Sequence, residues 1–335
     1  MEDKKSKPNL FLSIIGSKVL AYIIIMALVI MVVAKDTHPV TVVNKYDPCA
    51  PKVDVSRHAA NKYTRPNLLN DEYVECGDLT VLKDELAQYI DGAQKRGEAT
   101  NVSVYLRKPN TISWFEINGS EMYMPSSIMK ISIMIPYLLE ARINPDALQR
   151  KIYFEKRDPE LNRQNIISTR LRENNYYTVS ELLYALIVHS DNDASSLLAR
   201  NMDQKLYKKL FSDLNLPEPD IFHSDYTMSV MECSKFFRLL FSATYLGRDM
   251  SEYALELLTH CDYKDGILKG LDNPVTVAHK FGERTGNGFK ELHEGGIVYV
   301  ENRPYILCIM TRGTDYEKLS DIMGNISRIT YESLK

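Results

Sequence analysis

Ser127 and Lys130 stand three residues apart in the run Met124-Pro125-Ser126-Ser127-Ile128-Met129-Lys130. On a helix that spacing puts a hydroxyl and an amine on one face, within side-chain reach of each other. Pro125 fits the start of such a helix, where its missing N–H costs nothing. A serine hydroxyl is a poor nucleophile until a base takes its proton. A lysine becomes that base when burial or a neighbouring cation lowers its pKa. The helix N-terminus adds backbone donors and the positive end of the helix dipole beside the serine. Ser126 is the adjacent alternative, but it lies about 100° around the helix and away from Lys130. About one S-x-x-K arises by chance in a chain of this size, and alone it better describes a buried helix start with an exposed lysine.

Two further runs could join that chemistry. Ser190-Asp191-Asn192 sits at a helix-to-turn junction, where by itself it reads as a polar turn. His279-Lys280-Phe281-Gly282-Glu283 is expected to end a strand, where a lysine is ordinarily solvated and a glycine serves the turn. No C-x-x-C or His cluster suggests a metal, and no cofactor is implied.

The elements around these runs set their positions. Residues 79–95 have helical apolar spacing and end at Gly97. Val102, Val104 and Leu106, then Ile112 and Trp114, alternate with polar residues on either side of Pro109-Asn110, which predicts a β-hairpin. The Ser127 helix follows, with Pro136 expected to kink or end it. Helix is expected over about 144–261. Capping boxes at Thr178-Val179-Ser180-Glu181 and Ser229-Val230-Met231-Glu232 open two of its segments. Short β-rich runs at 275–279, 296–300 and 305–310 come next, and 315–334 is an amphipathic helix. Strands at both ends with helices between them predict an α+β fold of three layers, α/β/α. One antiparallel sheet would come from 77–123 and 267–335, with a helical lobe from 124–266 inserted. A cleft between sheet and lobe would then collect the three runs.

The chain of 335 residues has a net charge of −3, and no basic excess suggests nucleic acid. Lys4, Lys5 and Lys7 precede an apolar stretch over 10–34, uncharged from Val19 to Ala34. That is slightly short of the ~20 residues that cross a bilayer, but residues 11–17 extend it and Lys18 can snorkel. A cleaved signal peptide is the rival, with a shorter apolar core and a small-residue cleavage site. The longer run favours an uncleaved signal-anchor over 1–35. Its N-terminus would be cytoplasmic, with everything after Lys35 outside the cell membrane. Residues 36–76 read as an extracytoplasmic linker with scattered prolines. Cys49 and Cys76 bracket most of it and could pair there or stay apart. Cys233, Cys261 and Cys308 have apolar neighbours and read as buried thiols.

Taken together, the three runs resemble the serine penicillin-recognising enzymes. S-x-x-K at Ser127, S-D-N sixty-three residues on and K-x-G ninety residues after that follow the family's order and approximate spacing. The resemblance is closest to the class A β-lactamase-like branch. It covers residues 77–335 through "MPSSIMKISIM", "TVSELLYALIVHSDNDASSLL", "NPVTVAHKFGE" and "HEGGIVYVENRPYILCIMTRG". It implies a β-lactamase/DD-peptidase-like fold with Ser127 as acylated nucleophile and Lys130 as its proton acceptor or relay. Ser190 would pass a proton to the leaving nitrogen, and Asn192 would bond the substrate's amide side chain. Lys280 would supply positive potential, and the backbone N–H groups of Ser127 and Glu283 an oxyanion hole. Gly282 would leave room for substrate along the strand edge.

Two departures accompany the resemblance. Phe281 stands where the family usually carries a hydroxyl that contacts the substrate carboxylate. The segment between Leu214 and Ser229 is short for the loop whose glutamate activates the deacylating water. Glu218 is a weak stand-in there. Asp158-Pro159-Glu160-Leu161-Asn162 has similar wording but precedes Ser190 and reads as a decoy. The expected function is a membrane-anchored serine hydrolase acting on β-lactams or D-alanyl peptidoglycan peptides. The alternative is a slow-deacylating penicillin-binding or sensor protein.

Overall fold

The computed structural model describes residues 77–335, apart from 110–112, 160–164, 167–168, 221–224, 272–273 and 302. The expected anchor over 10–34, the linker over 36–76 and the question of Cys49–Cys76 pairing lie outside the described residues. Among the described residues no helix is long and apolar enough to cross a membrane.

Helix α1 (Thr80–Lys95) buries Leu82, Leu86, Ile90 and Ala93, one stripe at helical spacing. The chain turns at Gly97, whose φ of 71° suits a residue without a Cβ. Strands β1 (Asn101–Arg107) and β2 (Trp114–Ile117) form the expected hairpin. Then comes α2 (Lys130–Ile143), which is buried at every residue from Lys130 to Leu138. It runs through Pro136 rather than ending there. The proline removes one backbone hydrogen bond, and burial on all sides of the helix outweighs that loss.

The lobe is not wholly helical, contrary to the sequence expectation. β3 (Lys151–Phe154) and β4 (Asn175–Thr178) pair antiparallel as a separate two-stranded sheet. Four residues of alternation, with Ile152 and Phe154 buried beside exposed Lys151 and Tyr153, are too few to stand out in a sequence. The remaining lobe helices are α3 (Val179–Ile187), α4 (Asn192–Asn201), α5 (Gln204–Asp213), α6 (Val230–Ser242) and α7 (Arg248–Thr259). Both predicted capping boxes are present, Thr178 with Glu181 on α3 and Ser229 with Glu232 on α6.

β5 (Thr276–Thr285), β6 (Lys290–Tyr299) and β7 (Tyr305–Gly313) complete a five-stranded antiparallel sheet, and α8 (Tyr316–Leu334) closes the domain. Sheet order is β2-β1-β7-β6-β5. Along β7, Leu307 and Ile309 join the core under α1 and α8, while Cys308 and Met310 join the core of the lobe. Alternate side chains therefore feed two cores, which makes three layers. Cys233, Cys261 and Cys308 are free buried thiols, as expected.

β5 and β6 are longer than their apolar runs suggested. Lys280-Phe281-Gly282-Glu283 lies inside β5, where Lys280 pairs with Gly295 and Gly282 with His293. Charged residues interrupt the apolar pattern there, but the ladder continues through them. β5 is an edge strand, and its backbone packs against the turn that begins at Pro125. A Cβ on Gly282 would come within 2.4 Å of Pro125 O and 3.1 Å of Ser127 N. The same turn is pinned on its other side, where Tyr123 and Met228 exchange backbone hydrogen bonds of 3.0 and 2.8 Å. Because backbone atoms cannot swing aside, Gly282→Ala is expected to lower stability by roughly 1–3 kcal/mol, the usual range for overpacking. Urea unfolding checks this, and an unchanged midpoint would refute the tight approach.

Candidate active site

Ser127 belongs to a 3-10 turn, Ser126–Met129, that leads directly into α2 at Lys130. The sequence placed it in the first turn of an α-helix. Residues i and i+3 eclipse in a 3-10 turn, so Ser127 and Lys130 still share a side. Ser126 has a φ of 51°, left-handed for a residue with a Cβ. Such a conformation costs on the order of 1–2 kcal/mol and is held here by the packing of β5 and Met228 around the turn.

Lys130 is 4% exposed. Its Nζ donates to the backbone oxygen of Ser190, to Ser190 Oγ at 3.1 Å and to Asn192 Oδ1 at 2.7 Å. Three of the sequence-nominated residues therefore meet at one nitrogen. Burial depresses the Lys130 pKa well below its ordinary value. The cation of Lys280 adds to that effect, and the charges of Asp191, Glu283 and Cys261 oppose it.

The Ser190-Asp191-Asn192 run reverses the chain between α3 and α4. Ser190 has a φ of 55° and is 1% exposed. Asp191 caps α4: its Oδ1 accepts from Ala194 N at 2.8 Å, while its Oδ2 accepts from Leu171 N at 3.1 Å. With Asp191 turned to these amides, Ser190 and Asn192 on either side of it face Lys130.

Lys280 is fully buried, not solvated as an edge lysine normally is. Its Nζ lies 4.4 Å from the centroid of the Phe281 ring and donates to Phe281 O at 3.4 Å. Burial pulls its pKa down to about 8, against the raising effect of Cys261, Glu294 and Asp262. Phe281 is itself buried and stacks on Tyr263, with ring centroids 4.4 Å apart. Gly282 was expected to leave room for substrate. The space beside it is instead filled by the Ser127 turn, so its missing Cβ is what lets β5 reach that turn.

The side chain of Glu283 carries a feature that the sequence reading missed. Its Oε1 accepts from Asn165 N at 2.8 Å and Ile166 N at 2.7 Å, and its carboxylate, shielded from water at Oε2, also engages the Tyr316 hydroxyl. The segment between β3 and β4 thus reaches the edge of β5. It is also tied to the S-D-N side, since Arg157 donates to Asp193 Oδ2 and to Leu171 O, each at 2.8 Å. Residues flanking the supposed decoy at 158–162 therefore border both sides of the site. Asp193 and Glu283 were visible in the sequence, but partners 36 and 117 or more residues away were not. A cavity of about 530 Å³, lined by Phe154, Arg157, Asp158, Asp193, Leu197 and Arg200 among others, opens beside this segment. None of Ser127, Lys130, Ser190 or Lys280 lines it, so it is separate from the cluster around Lys130. Glu218 is half-exposed and pairs with Lys208 at 3.4 Å. Among the described residues no group of His, Cys, Asp and Glu could hold a metal ion.

Solved structures with the same fold include a PBP-A mutant described as an acyl-enzyme complex with penicillin G. It is 18% identical with a TM-score of 0.63, covering 76% of this chain and 96% of that one. The TLA-1 extended-spectrum β-lactamase is 17% identical with a TM-score of 0.65, covering 75% and 98%. A β-lactamase from Sphaerobacter thermophilus is 16% identical with a TM-score of 0.62, covering 75% and 96%. No curated protein matches the chain. A family model described as the β-lactamase enzyme family matches residues 82–334, nearly the whole of the described domain. The chain belongs to that family of serine hydrolases, with the class A β-lactamase-like fold that its three motifs implied.

Proposed function

We propose that the protein is a membrane-anchored serine hydrolase that forms an acyl-enzyme on Ser127 with β-lactams or D-alanyl cell-wall peptides. The observation that carries this reading is the bonding of Lys130 to both Ser190 and Asn192 in a place dry enough to favour the neutral amine. In that form Lys130 takes the Ser127 proton as Oγ attacks the acyl carbon. Backbone N–H groups of Ser127 and Glu283 receive the oxyanion. Ser190 relays the proton to the leaving nitrogen, and Asn192 bonds the substrate's amide group. Lys280 supplies a nearby positive charge. The PBP-A acyl-enzyme with penicillin G is a precedent on the same fold for the first half-reaction.

Hydrolysis of the ester is the slow half. Glu218 points to Lys208 on the surface, which favours Lys130 as base for both steps and a long-lived acyl-enzyme. The sensor reading shares this chemistry and differs only in how slowly the ester is released. Residues 10–34 supply the anchor, with the basic residues before them on the cytoplasmic side.

Mass spectrometry after penicillin treatment tests the nucleophile. An adduct is expected on the Ser127 peptide, none in Ser127→Ala, and formation slowed by orders of magnitude in Lys130→Ala. An undiminished adduct in Ser127→Ala would refute the assignment. The pH dependence of acylation follows from the two lysines. Lys130 must be neutral, so the rate climbs as pH rises through its depressed pKa. Lys280 must be cationic, and that charge is the low-pH form, so the rate falls again above about pH 8. A rate still climbing at pH 10 would remove Lys280 from the mechanism. For location, protease added to intact spheroplasts should degrade the catalytic domain. Protection of the domain would overturn the exported topology.

A further inference from the structure

His189 has no part in the acyl-transfer steps above, yet it directly precedes Ser190, whose hydroxyl must reach the leaving nitrogen. Its Nδ1 lies 2.6 Å from Asp262 Oδ2. An ionised carboxylate only accepts, so the imidazole N–H at Nδ1 is the donor. Tyr184, further back on α3, makes a T-shaped contact with the same ring, with centroids 5.3 Å apart. The backbone repeats the link, since Asp262 N donates to Val188 O at 3.0 Å. Asp262 therefore grips both residues before Ser190, from 73 positions beyond His189. After Ser190 the chain is fixed by the Asp191 cap and by Asp191 N, which donates to Ala185 O at 3.0 Å. Between these two anchors Ser190 keeps a φ of 55°, which a residue with a Cβ seldom adopts. Asp262 also acts on the K-x-G motif, because its charge favours the cationic form of Lys280.

We infer that His189 is a positioning residue: through Asp262 it holds the Ser190 hydroxyl where it can protonate the leaving nitrogen. This rests on the acyl-transfer reading and adds a residue to it. A left-handed residue persists only while its surroundings over-determine it. Releasing the flank at His189 lets Ser190 relax, and its Oγ moves away from the Lys130 amine that now stands 3.1 Å from it. Proton transfer suffers first, because it needs donor and acceptor within hydrogen-bond reach. An amine nitrogen does not leave as its anion, so a penicillin depends on that proton. A thioester releases a thiolate, which departs without one.

The test compares two acylating agents of the full-length protein, benzylpenicillin and phenylacetylglycyl thioglycolate. Both carry the phenylacetylamide and a carboxylate, so any effect through Asn192 or Lys280 falls on both alike. Rates of Ser127 acylation are read by intact-protein mass spectrometry of quenched samples. The penicillin-to-thioester rate ratio is expected to fall about tenfold or more in His189→Leu, within the ~10²-fold that misplacing a catalytic group costs. It should recover in His189→Asn, whose amide returns an N–H close to the place of Nδ1. Ser190→Ala gives the reference, with a fall at least as deep as in His189→Leu. If His189→Leu does not fold, Asp262→Ala removes the acceptor instead and is read by the same ratio. An unchanged ratio, whether both rates hold or both drop together, would overturn the role of His189 while leaving acylation of Ser127 standing. So would a fall in His189→Asn as deep as in His189→Leu. Failure of both compounds to mark Ser127 in the unmodified protein would overturn the acyl-transfer reading and this inference with it.

Discussion

Water is kept from the Lys130 amine, and most of the surrounding architecture serves that exclusion. An ammonium in a dry interior costs several kcal/mol unless it is fully paired, so burial alone drives the group towards its neutral form. Ser190 O, Ser190 Oγ and Asn192 Oδ1 offer three acceptors, enough for an ammonium. A neutral amine has only two hydrogens and one lone pair. Losing a proton therefore releases one of these contacts and frees the lone pair to act as a base, with Ser127 one turn away along the chain. The polar surroundings keep Lys130 in place in both protonation states, and the desolvation favours the neutral one.

Holding three acceptors around one nitrogen requires unusual backbone on both sides of it. Ser126 and Ser190 both occupy the left-handed region, with φ near 51° and 55°. Strain of this kind persists where packing over-determines it. At Ser126 the determinants are the edge of β5 at Gly282 and the Tyr123–Met228 backbone pair. At Ser190 they are the Asp191 cap on α4 and the amide of Leu171, which fix the aspartate between two residues that face the other way. One strained serine thus lies in the turn before α2 and the other between α3 and α4, and Lys130 at the head of α2 bonds to the second.

The sequence made the chemistry more legible than the scaffold around it. Ser127, Lys130, Ser190 and Asn192 could be nominated because each motif is local and their order along the chain is a second, independent constraint, and the last three meet in the structure. The capping boxes at Thr178 and Ser229 and the stripe on α1 were readable for the same reason: their interactions span three or four residues. β3 and β4 were missed because four residues each, about twenty apart in sequence, leave no period to detect. β5 was cut short at Lys280 because a charged residue usually marks a strand's end, and here the lysine is buried instead. The contacts of Glu283 with Asn165 and Ile166 depend wholly on tertiary placement, which no local pattern encodes.

The carboxylates around the cleft show why acylation and hydrolysis need not be equally served. A base for water must have an oxygen free to accept a proton at the ester. Asp191 has both oxygens committed to backbone amides, of Ala194 and Leu171. Glu283 has one oxygen held by the 165–166 backbone and the other shut away from water. Glu218 is engaged with Lys208 on the outer surface of the lobe. Each of these acids has been given a structural task or an outward position, whereas the Lys130 amine is held dry against Ser190 and Asn192 with a depressed pKa. An amine that has just passed its proton to the leaving group can take another from water. In the proposed acyl transfer that one amine would serve the serine hydroxyl in the first half-reaction and the water in the second.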